Sequence, residues 1–248
     1  MSSPHYVNAA GDVRNDRIVR RLELQAPPRF QALQPGAIAA GIVAAAGRNE
    51  RFDSVCFDTP DLRLAKYGAS LHYRKDEGWT VGLQAATQTH VQAANQRVFA
   101  GQSDVIPPEV LDLVQAMVRR DSLAPLAHLR TNRHRLQLLD KAKQRLGEIV
   151  DNNISVIEGE RPAARFREIE VELADAAPDE LLDRLLGMLI ERGAIAGQPV
   201  PKLVHALGPR AGAVRDAPPV SLGRSASIAE VVQTCLLYTS ELPTILRV

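Results

Sequence analysis

A strict alternation of charged and hydrophobic residues runs through Phe166-Arg167-Glu168-Ile169-Glu170-Val171-Glu172-Leu173. Successive side chains of a β-strand point to opposite faces, so this pattern predicts a strand with one carboxylate row and one hydrocarbon row. As a helix, the same residues would scatter the carboxylates around the axis and leave no apolar stripe. In the strand, Glu168, Glu170 and Glu172 would follow one another at about 6–7 Å along one face.

The carboxylate row has two interpretations. A solvated sheet face is the ordinary outcome for an alternating strand. Carboxylates this close repel each other, however, so the row needs water, cations or a basic surface opposite it. Basic residues follow the same alternation elsewhere, in the segments 70–74 and 126–139. This favours acidic and basic rows that face one another.

Period-2 alternation and turn residues predict several further strands. They cover residues 21–25, 51–58, 70–74, 79–84, 96–100 and part of 126–139, together with strands that flank a turn at 151–153. Apolar stripes, with proline near the first turn or glycine at the end, predict helices. These cover residues 35–47, 62–67, 107–119, 178–193 and 201–207. Many strands and few helices indicate an antiparallel α+β domain or a closed barrel.

Composition narrows the class of protein. Of the 248 residues, 45% are hydrophobic and 24% are charged, which is typical of a soluble globular chain. A net charge of +1 gives no overall attraction to nucleic acid or to an anionic membrane, so we expect neither as a partner. Cys56 and Cys235 form no metal-binding or disulfide pattern, which fits a cytoplasmic protein.

Ten polar residues lie on the strand faces that we expect to point inward. They are Glu23, Gln25, His72, Arg74, Gln84, Arg133, Arg135, Glu168, Glu170 and Glu172. A charged barrel interior is useful only as a wet cavity for a charged ligand, because small barrels normally fill their interior with apolar side chains. Carboxylates on one wall would hold Mg²⁺ or Mn²⁺, and guanidinium groups on the other would hold phosphate oxygens.

Four segments resemble the CYTH domain of the triphosphate tunnel metalloenzyme superfamily. They are Asp58-Thr59-Pro60-Asp61-Leu62, Leu71-His72-Tyr73-Arg74, the strand from Glu168 to Leu173, and Pro201-Lys202-Leu203. The resemblance covers about residues 18–208. It implies an α+β fold with a closed eight-stranded antiparallel β-barrel (tunnel) and flanking helices. It also implies a divalent metal ion, Mg²⁺ or Mn²⁺, and attack on a triphosphate by metal-activated water.

The resemblance also implies roles for individual residues. Glu23, Glu168 and Glu170 would be catalytic and would hold the metal together with Glu172. Arg74, Arg133, Arg135 and Lys202 would bind the substrate, and Asp151 also matches a family position. The chain departs from the family pattern at four positions, where it carries Arg21, Gln25, His72 and Gln84.

Three functions remain open on this evidence. The first is a metal-dependent hydrolase of inorganic triphosphate or a related short polyphosphate, weakened by the substitutions. The second is a degenerate tunnel that binds polyphosphate or a nucleotide without cleaving it. The third is a class IV adenylate cyclase, although the sequence contains no adenine-recognition signal.

The sequence predicts five regions. They are a loose N-terminus (1–17), the tunnel domain (18–208), a Gly/Pro/Ala-rich linker (209–224), the start of a truncated helical domain (225–234) and a non-native tail (235–248). The helical start resembles a CHAD domain, which often follows a CYTH domain and binds polyphosphate. The tail resembles a translated sequencing adapter, so no function is assigned to Cys235.

Overall fold

We describe the protein from a computed structural model. The described residues are 6–7, 13–14, 20–27, 29–39, 41–84, 91–92, 94–159, 161–174, 177–197 and 200–212. Most of the predicted loose N-terminus, most of the linker, the CHAD-like segment and the tail lie outside these ranges. The side chain of Gln84 also lies outside the described part.

The described residues form thirteen strands and five helices. The strands are β1 (Tyr6–Val7), β2 (Val13–Arg14), β3 (Arg20–Gln25), β4 (Gly36–Ala39), β5 (Ile42–Ala46), β6 (Glu50–Asp58), β7 (Ala69–Arg74), β8 (Gly78–Gln84), β9 (Val91–Gln92), β10 (Ala94–Phe99), β11 (Ala124–Leu139), β12 (Arg145–Glu158) and β13 (Arg161–Leu173). The helices are α1 (Arg63–Lys66), α2 (Pro108–Val118), α3 (Leu181–Glu191), α4 (Lys202–Leu207) and α5 (Pro209–Gly212).

One antiparallel sheet dominates the fold, in the order β10-β8-β7-β6-β11-β12-β13-β3-β9, with β4 and β5 attached beside β11. The predicted antiparallel sheet with flanking helices is confirmed, but the expected closure of the barrel is wrong. No described ladder joins the two ends of this order, so the sheet is a curled, open one. The end strands β9 and β10 follow each other in the chain, separated only by residue 93.

The outward row of β13 forms the main hydrophobic core, as its alternation predicts. Ile169, Val171 and Leu173 are buried in one cluster with Leu185 and Leu189 of α3. Each such buried aliphatic side chain contributes about 1.5–3 kcal/mol relative to exposure. This packing fixes the outward phase of the strand and leaves the glutamates on the inner face.

A second core forms where α2 packs against β7 and β8. Val110 and Val114 of the helix bury against Trp79, which is fully buried. The indole Nε1 of Trp79 donates a hydrogen bond to the Gln102 carbonyl at 2.9 Å. Trp79 is therefore a packing residue.

Two predicted elements are wrong. Residues 35–47 form β4 and β5 rather than a helix, because β5 pairs with Leu136–Leu139 of β11 and this tertiary pairing overrides the helix propensity of alanine. The turn predicted at 151–153 is part of the continuous strand β12, which pairs on both sides across those residues. In addition, β1 pairs with β2 inside the stretch expected to be loose, and α5 occupies the start of the predicted linker.

Gly78 begins β8 at a position that no larger residue fits. Its φ is +94°, and an added Cβ would lie 2.3 Å from the Phe99 carbonyl oxygen. We predict that Gly78→Ala lowers the free energy of unfolding by roughly 1–3 kcal/mol, as measured by urea denaturation.

Gly187 is the matched control, because it lies exposed in α3 and an added Cβ would meet nothing within 4 Å. Gly187→Ala should raise the free energy of unfolding by about 0.5–1 kcal/mol. Equal effects of the two substitutions would contradict the steric argument.

Candidate ligand cavity and its charged walls

The inward rows of the sheet meet in a cavity of about 270 Å³. Its acidic wall comes from β3 and β13, where Glu170 pairs across the strands with Glu23. Its basic wall comes mainly from β7 and β11, which contribute Arg74, Arg133 and Arg135. Two rows of opposite charge therefore face a common space, as the alternation predicts.

Glu170 is the centre of the acidic wall and is 4% exposed. Its carboxylate oxygens lie 2.7 Å from Arg21 Nη2 and 3.0 Å from Lys202 Nζ. Asn152 donates a hydrogen bond to it from Nδ2 at 3.0 Å. Burial raises the pKa of Glu170, but Arg21, Lys202 and Arg133 outweigh burial and hold the pKa below its usual value, so this carboxylate is ionised.

Lys202 lies on the acidic wall rather than among the arginines. It is the first residue of α4, and its ammonium nitrogen is 3.0 Å from Glu170 and 3.4 Å from Glu168. Burial lowers the pKa of Lys202, whereas Glu170, Glu168 and Glu23 raise it, and the net result is a raised pKa. Lys202 is therefore a fixed positive charge between carboxylates.

Glu168 is buried, and neither of its carboxylate oxygens accepts a hydrogen bond of good geometry from the described residues. Lys202 Nζ forms an ion pair with its Oε2 atom at 3.4 Å. Burial is the largest cause that raises the pKa of Glu168 to about 7; Lys202 opposes the rise, and Glu23 and Glu170 add to it. Burial, followed by Glu170, also raises the pKa of Glu23.

A second cavity of about 60 Å³ adjoins the acidic wall. It is lined by Glu168 and Gln25, and Glu23 lines both cavities. Gln25 lies 3.2 Å from the Nε2 atom of His205, measured from its amide nitrogen.

Arg133 is the least neutralised cation of the basic wall. Its Nε donates to Asn152 Oδ1 at 2.8 Å, but no carboxylate of the described residues pairs with it. The guanidinium carbons of Arg133 and Arg74 lie 4.9 and 3.8 Å from the ring centroid of Phe52, within the range of cation–π interactions. Burial lowers the pKa of Arg133, and the positive charges of Arg135 and Arg74 add to the effect.

The other two predicted phosphate ligands already have carboxylate partners. Arg74 lies 2.6 Å from Asp76 and 2.9 Å from Glu77. Arg135 contacts Glu148 closely and lies 3.6 Å from Glu50. Both arginines line the cavity, but each shares its charge with these neighbours.

His72 and Cys56 line the same cavity in uncharged forms. Burial lowers the pKa of His72 to about 3, with further contributions from Lys202 and Arg74. Burial also raises the pKa of the Cys56 thiol to about 12. Neither residue adds a charge to the cavity at neutral pH.

Sequence reasoning missed Asn152 and misplaced Asp151. Asn152 was expected in a turn, yet it is fully buried and links Glu170 of the acidic wall to Arg133 of the basic wall. Asp151 points to the opposite face of β12, where Arg167 donates to it at 2.7 and 2.5 Å. Asp151 is therefore not among the residues that line the cavity. Prediction of residues 145–158 as one continuous strand would have placed Asn152 on the inner face and Asp151 on the outer face.

The acidic wall offers only some of the ligand oxygens that Mg²⁺ or Mn²⁺ would need. Glu168 supplies two carboxylate oxygens that accept no hydrogen bond of good geometry, and carboxylate oxygens are the ligands that these ions prefer. Glu170, however, is held by Arg21 and Lys202, and the exposed Glu172 lies 3.8 Å from Arg21. Among the described residues, no three His, Cys, Asp or Glu side chains come together closely enough to hold a metal ion. With Arg21 and Lys202 on Glu170, these residues do not fit a metal ion; binding of one would require Arg21 to leave Glu170.

Comparison with known proteins gives distant relatives. No family model matches the chain. Two uncharacterized Mycobacterium tuberculosis proteins, MT2285 (strain CDC 1551 / Oshkosh) and Rv2226 (strain ATCC 25618 / H37Rv), are each 28% identical over 204 residues. The match covers 75% of this chain and 38% of each relative, so the chain spans well under half the length of these proteins.

A solved structure of HpAC1 from Hippeastrum, a proposed adenylyl cyclase with a dominant triphosphatase activity, also matches. The TM-score is 0.40 at 12% identity, over 77% of this chain and 96% of HpAC1. Similarity at this level does not assign the fold or the function of this chain. None of the described helices is long and apolar enough to cross a membrane.

We predict that the Asn152 side chain stabilises the folded protein. Asn152→Ala would leave Arg133 Nε and a Glu170 oxygen without their buried partner, which should lower the free energy of unfolding by roughly 1–3 kcal/mol. Chemical denaturation measures the difference. Asn153→Ala, on the opposite face of the same strand, is the control and should change stability by less than about 0.5 kcal/mol. Equal losses in the two variants would argue against the link.

Proposed function

We propose that the cavity binds inorganic triphosphate or a related short polyphosphate. The observation that carries this proposal is Arg133, a half-buried guanidinium that lines the cavity and forms no ion pair with a carboxylate among the described residues. A half-buried cation without an ion-pair partner is costly, and a phosphate oxygen would reduce that cost. Arginine suits the role because its planar fork matches two phosphate oxygens at once.

The neighbours of Arg133 extend this anion site along the wall. Arg74 shares the Phe52 ring with it, and Arg135 follows two residues later on the same face of β11. A row of cations at strand spacing suits a linear chain of phosphate groups better than a single compact anion. The motif resemblance to triphosphate tunnel proteins points to the same class of ligand.

Cavity size favours a small ligand. Pockets that enclose drug-sized molecules measure about 300–1,000 Å³, and this cavity of about 270 Å³ lies below that range. An inorganic phosphate chain, which has no base or sugar to place, suits a cavity of this size. The adenylate cyclase interpretation ranks last because the sequence contains no adenine-recognition signal.

Calorimetric titration with triphosphate tests the proposal. The unaltered protein should bind, and Arg133→Gln should weaken binding by roughly tenfold or more, since a hydrogen bond to a charged group contributes about 1.5–3 kcal/mol. Arg51→Gln is the matched control, because Arg51 is an exposed arginine on the outer face of β6. It should bind within about twofold of the unaltered protein.

Two results would contradict the proposal. One is the absence of triphosphate binding by folded protein under all conditions of salt and divalent metal. The other is equal weakening by Arg133→Gln and Arg51→Gln, which would indicate non-specific attraction to positive charge rather than a built site.

Hydrolysis of the bound phosphate chain with Mg²⁺ or Mn²⁺ is the second candidate function. The specific observation that favours it is Glu168, whose buried oxygens accept no hydrogen bond of good geometry and lie beside Glu23 and Glu170. In this function, Glu23, Glu168, Glu170 and Glu172 would hold the metal, and Arg21 would first have to leave Glu170.

Release of phosphate from triphosphate, with either metal present, tests this second function. Glu168→Gln should reduce release by roughly 100-fold, because the lost carboxylate charge is one that the metal needs. Glu109→Gln, on the exposed surface of α2, is the control and should leave release unchanged. If folded protein binds triphosphate but releases no phosphate with either metal, the domain is a binding module.

A further inference from the structure

Arg21 occupies a position in the acidic row where it neutralises two glutamates. Its Nη2 lies 2.7 Å from Glu170 Oε2, and its Nε lies 3.8 Å from Glu172 Oε1. The register of β3 on β13 places Arg21 directly across from Glu172, one inward position from the Glu23–Glu170 pair. Glu170 is the main cause that raises the pKa of Arg21, so the guanidinium keeps its charge.

Glu170 is thereby held between two cations of the protein. Arg21 contacts one of its oxygens, and Lys202 contacts the other at 3.0 Å. Asn152 donates to the same oxygen as Lys202. A divalent ion could reach this carboxylate only by displacing one of these groups, and displacement would leave a buried cation without its partner.

The guanidinium of Arg21 also retains an unused donor. Its Nε is buried and has no hydrogen-bond acceptor among the described residues. The side chain lines the 270 Å³ cavity, so it contacts the space where a ligand would lie. The described residues therefore supply carboxylates that pair with the charge of Arg21, but no hydrogen-bond acceptor for its Nε–H group.

We propose that Arg21 takes the place of a divalent metal ion on the acidic wall, so that the cavity binds its polyphosphate with the cations of the protein alone. This inference rests on the proposed polyphosphate-binding function. Arg21 and Lys202 neutralise the carboxylates on one wall, and Arg133 and its neighbours contact the phosphate oxygens from the other. Binding then depends on salt, which screens charge, but not on a chelator.

Three titrations of the unaltered protein test the proposal: triphosphate with EDTA, triphosphate with Mn²⁺, and Mn²⁺ alone. Blank titrations correct for the complex that Mn²⁺ forms with triphosphate. We expect the triphosphate affinity in EDTA to equal that in Mn²⁺ within about threefold, and no saturable binding of Mn²⁺ alone. A 1.4 kcal/mol difference would correspond to a tenfold change, which calorimetry resolves.

Variants at position 21 should make triphosphate binding depend on Mn²⁺. Arg21→Glu should lose triphosphate binding in EDTA by roughly tenfold or more and recover it with Mn²⁺, which should also raise the thermal unfolding midpoint of that variant. Arg21→Gln removes the charge without adding a carboxylate. It replaces Arg21→Glu as the test variant if Arg21→Glu does not fold. Arg21→Lys keeps the charge and should still bind triphosphate in EDTA. Arg51→Gln remains the outer-face control.

The outcomes separate the two proposals. Binding in EDTA that Mn²⁺ does not improve, and that Arg21→Gln weakens, supports the role of Arg21. Binding by the unaltered protein only when Mn²⁺ is present overturns that role and leaves the polyphosphate-binding function standing. No binding in either condition overturns the polyphosphate-binding function and the role of Arg21 with it.

Discussion

Removal of a carboxylate from water is costly unless cations and hydrogen-bond donors surround it, and Glu170 imposes this constraint at the centre of the fold. Arg21, Lys202 and Asn152 all contact it, and each comes from a different element of the chain. The contact from Lys202 docks α4 on the sheet, and the contact from Asn152 ties β12 to the same point. The electrostatics of the cavity and the assembly of the sheet therefore depend on one buried charge.

The sequence predicts the inner and outer faces of most strands, because a period of two is a local property of the chain. The row that contains Glu168, Glu170 and Glu172 faces inward as expected, and the hydrocarbon row packs against α3. The helices α2 and α4 also lie close to their predicted positions, where proline marks their starts. Alternation and proline are signals that do not depend on the partner strands.

The incorrect predictions arise where pairing between distant segments decides the secondary structure. An alanine-rich segment has a high helix propensity, yet residues 42–46 complete the sheet beside the end of β11. The three polar residues 151–153 resemble a turn. In a sheet with one face toward solvent and the other toward a polar cavity, however, polar residues can occupy either face of a strand. The pairing of Arg21 with Glu170 joins positions far apart in the chain, and the sequence shows only that both share the inward phase.

The direct succession of β9 and β10 along the chain joins the two edges of the sheet. Gln92 pairs with Arg21 at one edge, and Ala94 pairs with Gln84 at the other, with one residue between them in the sequence. The covalent chain therefore holds the two edges close together at this point, although no described ladder joins them. A longer connection here would allow the two edges to move further apart.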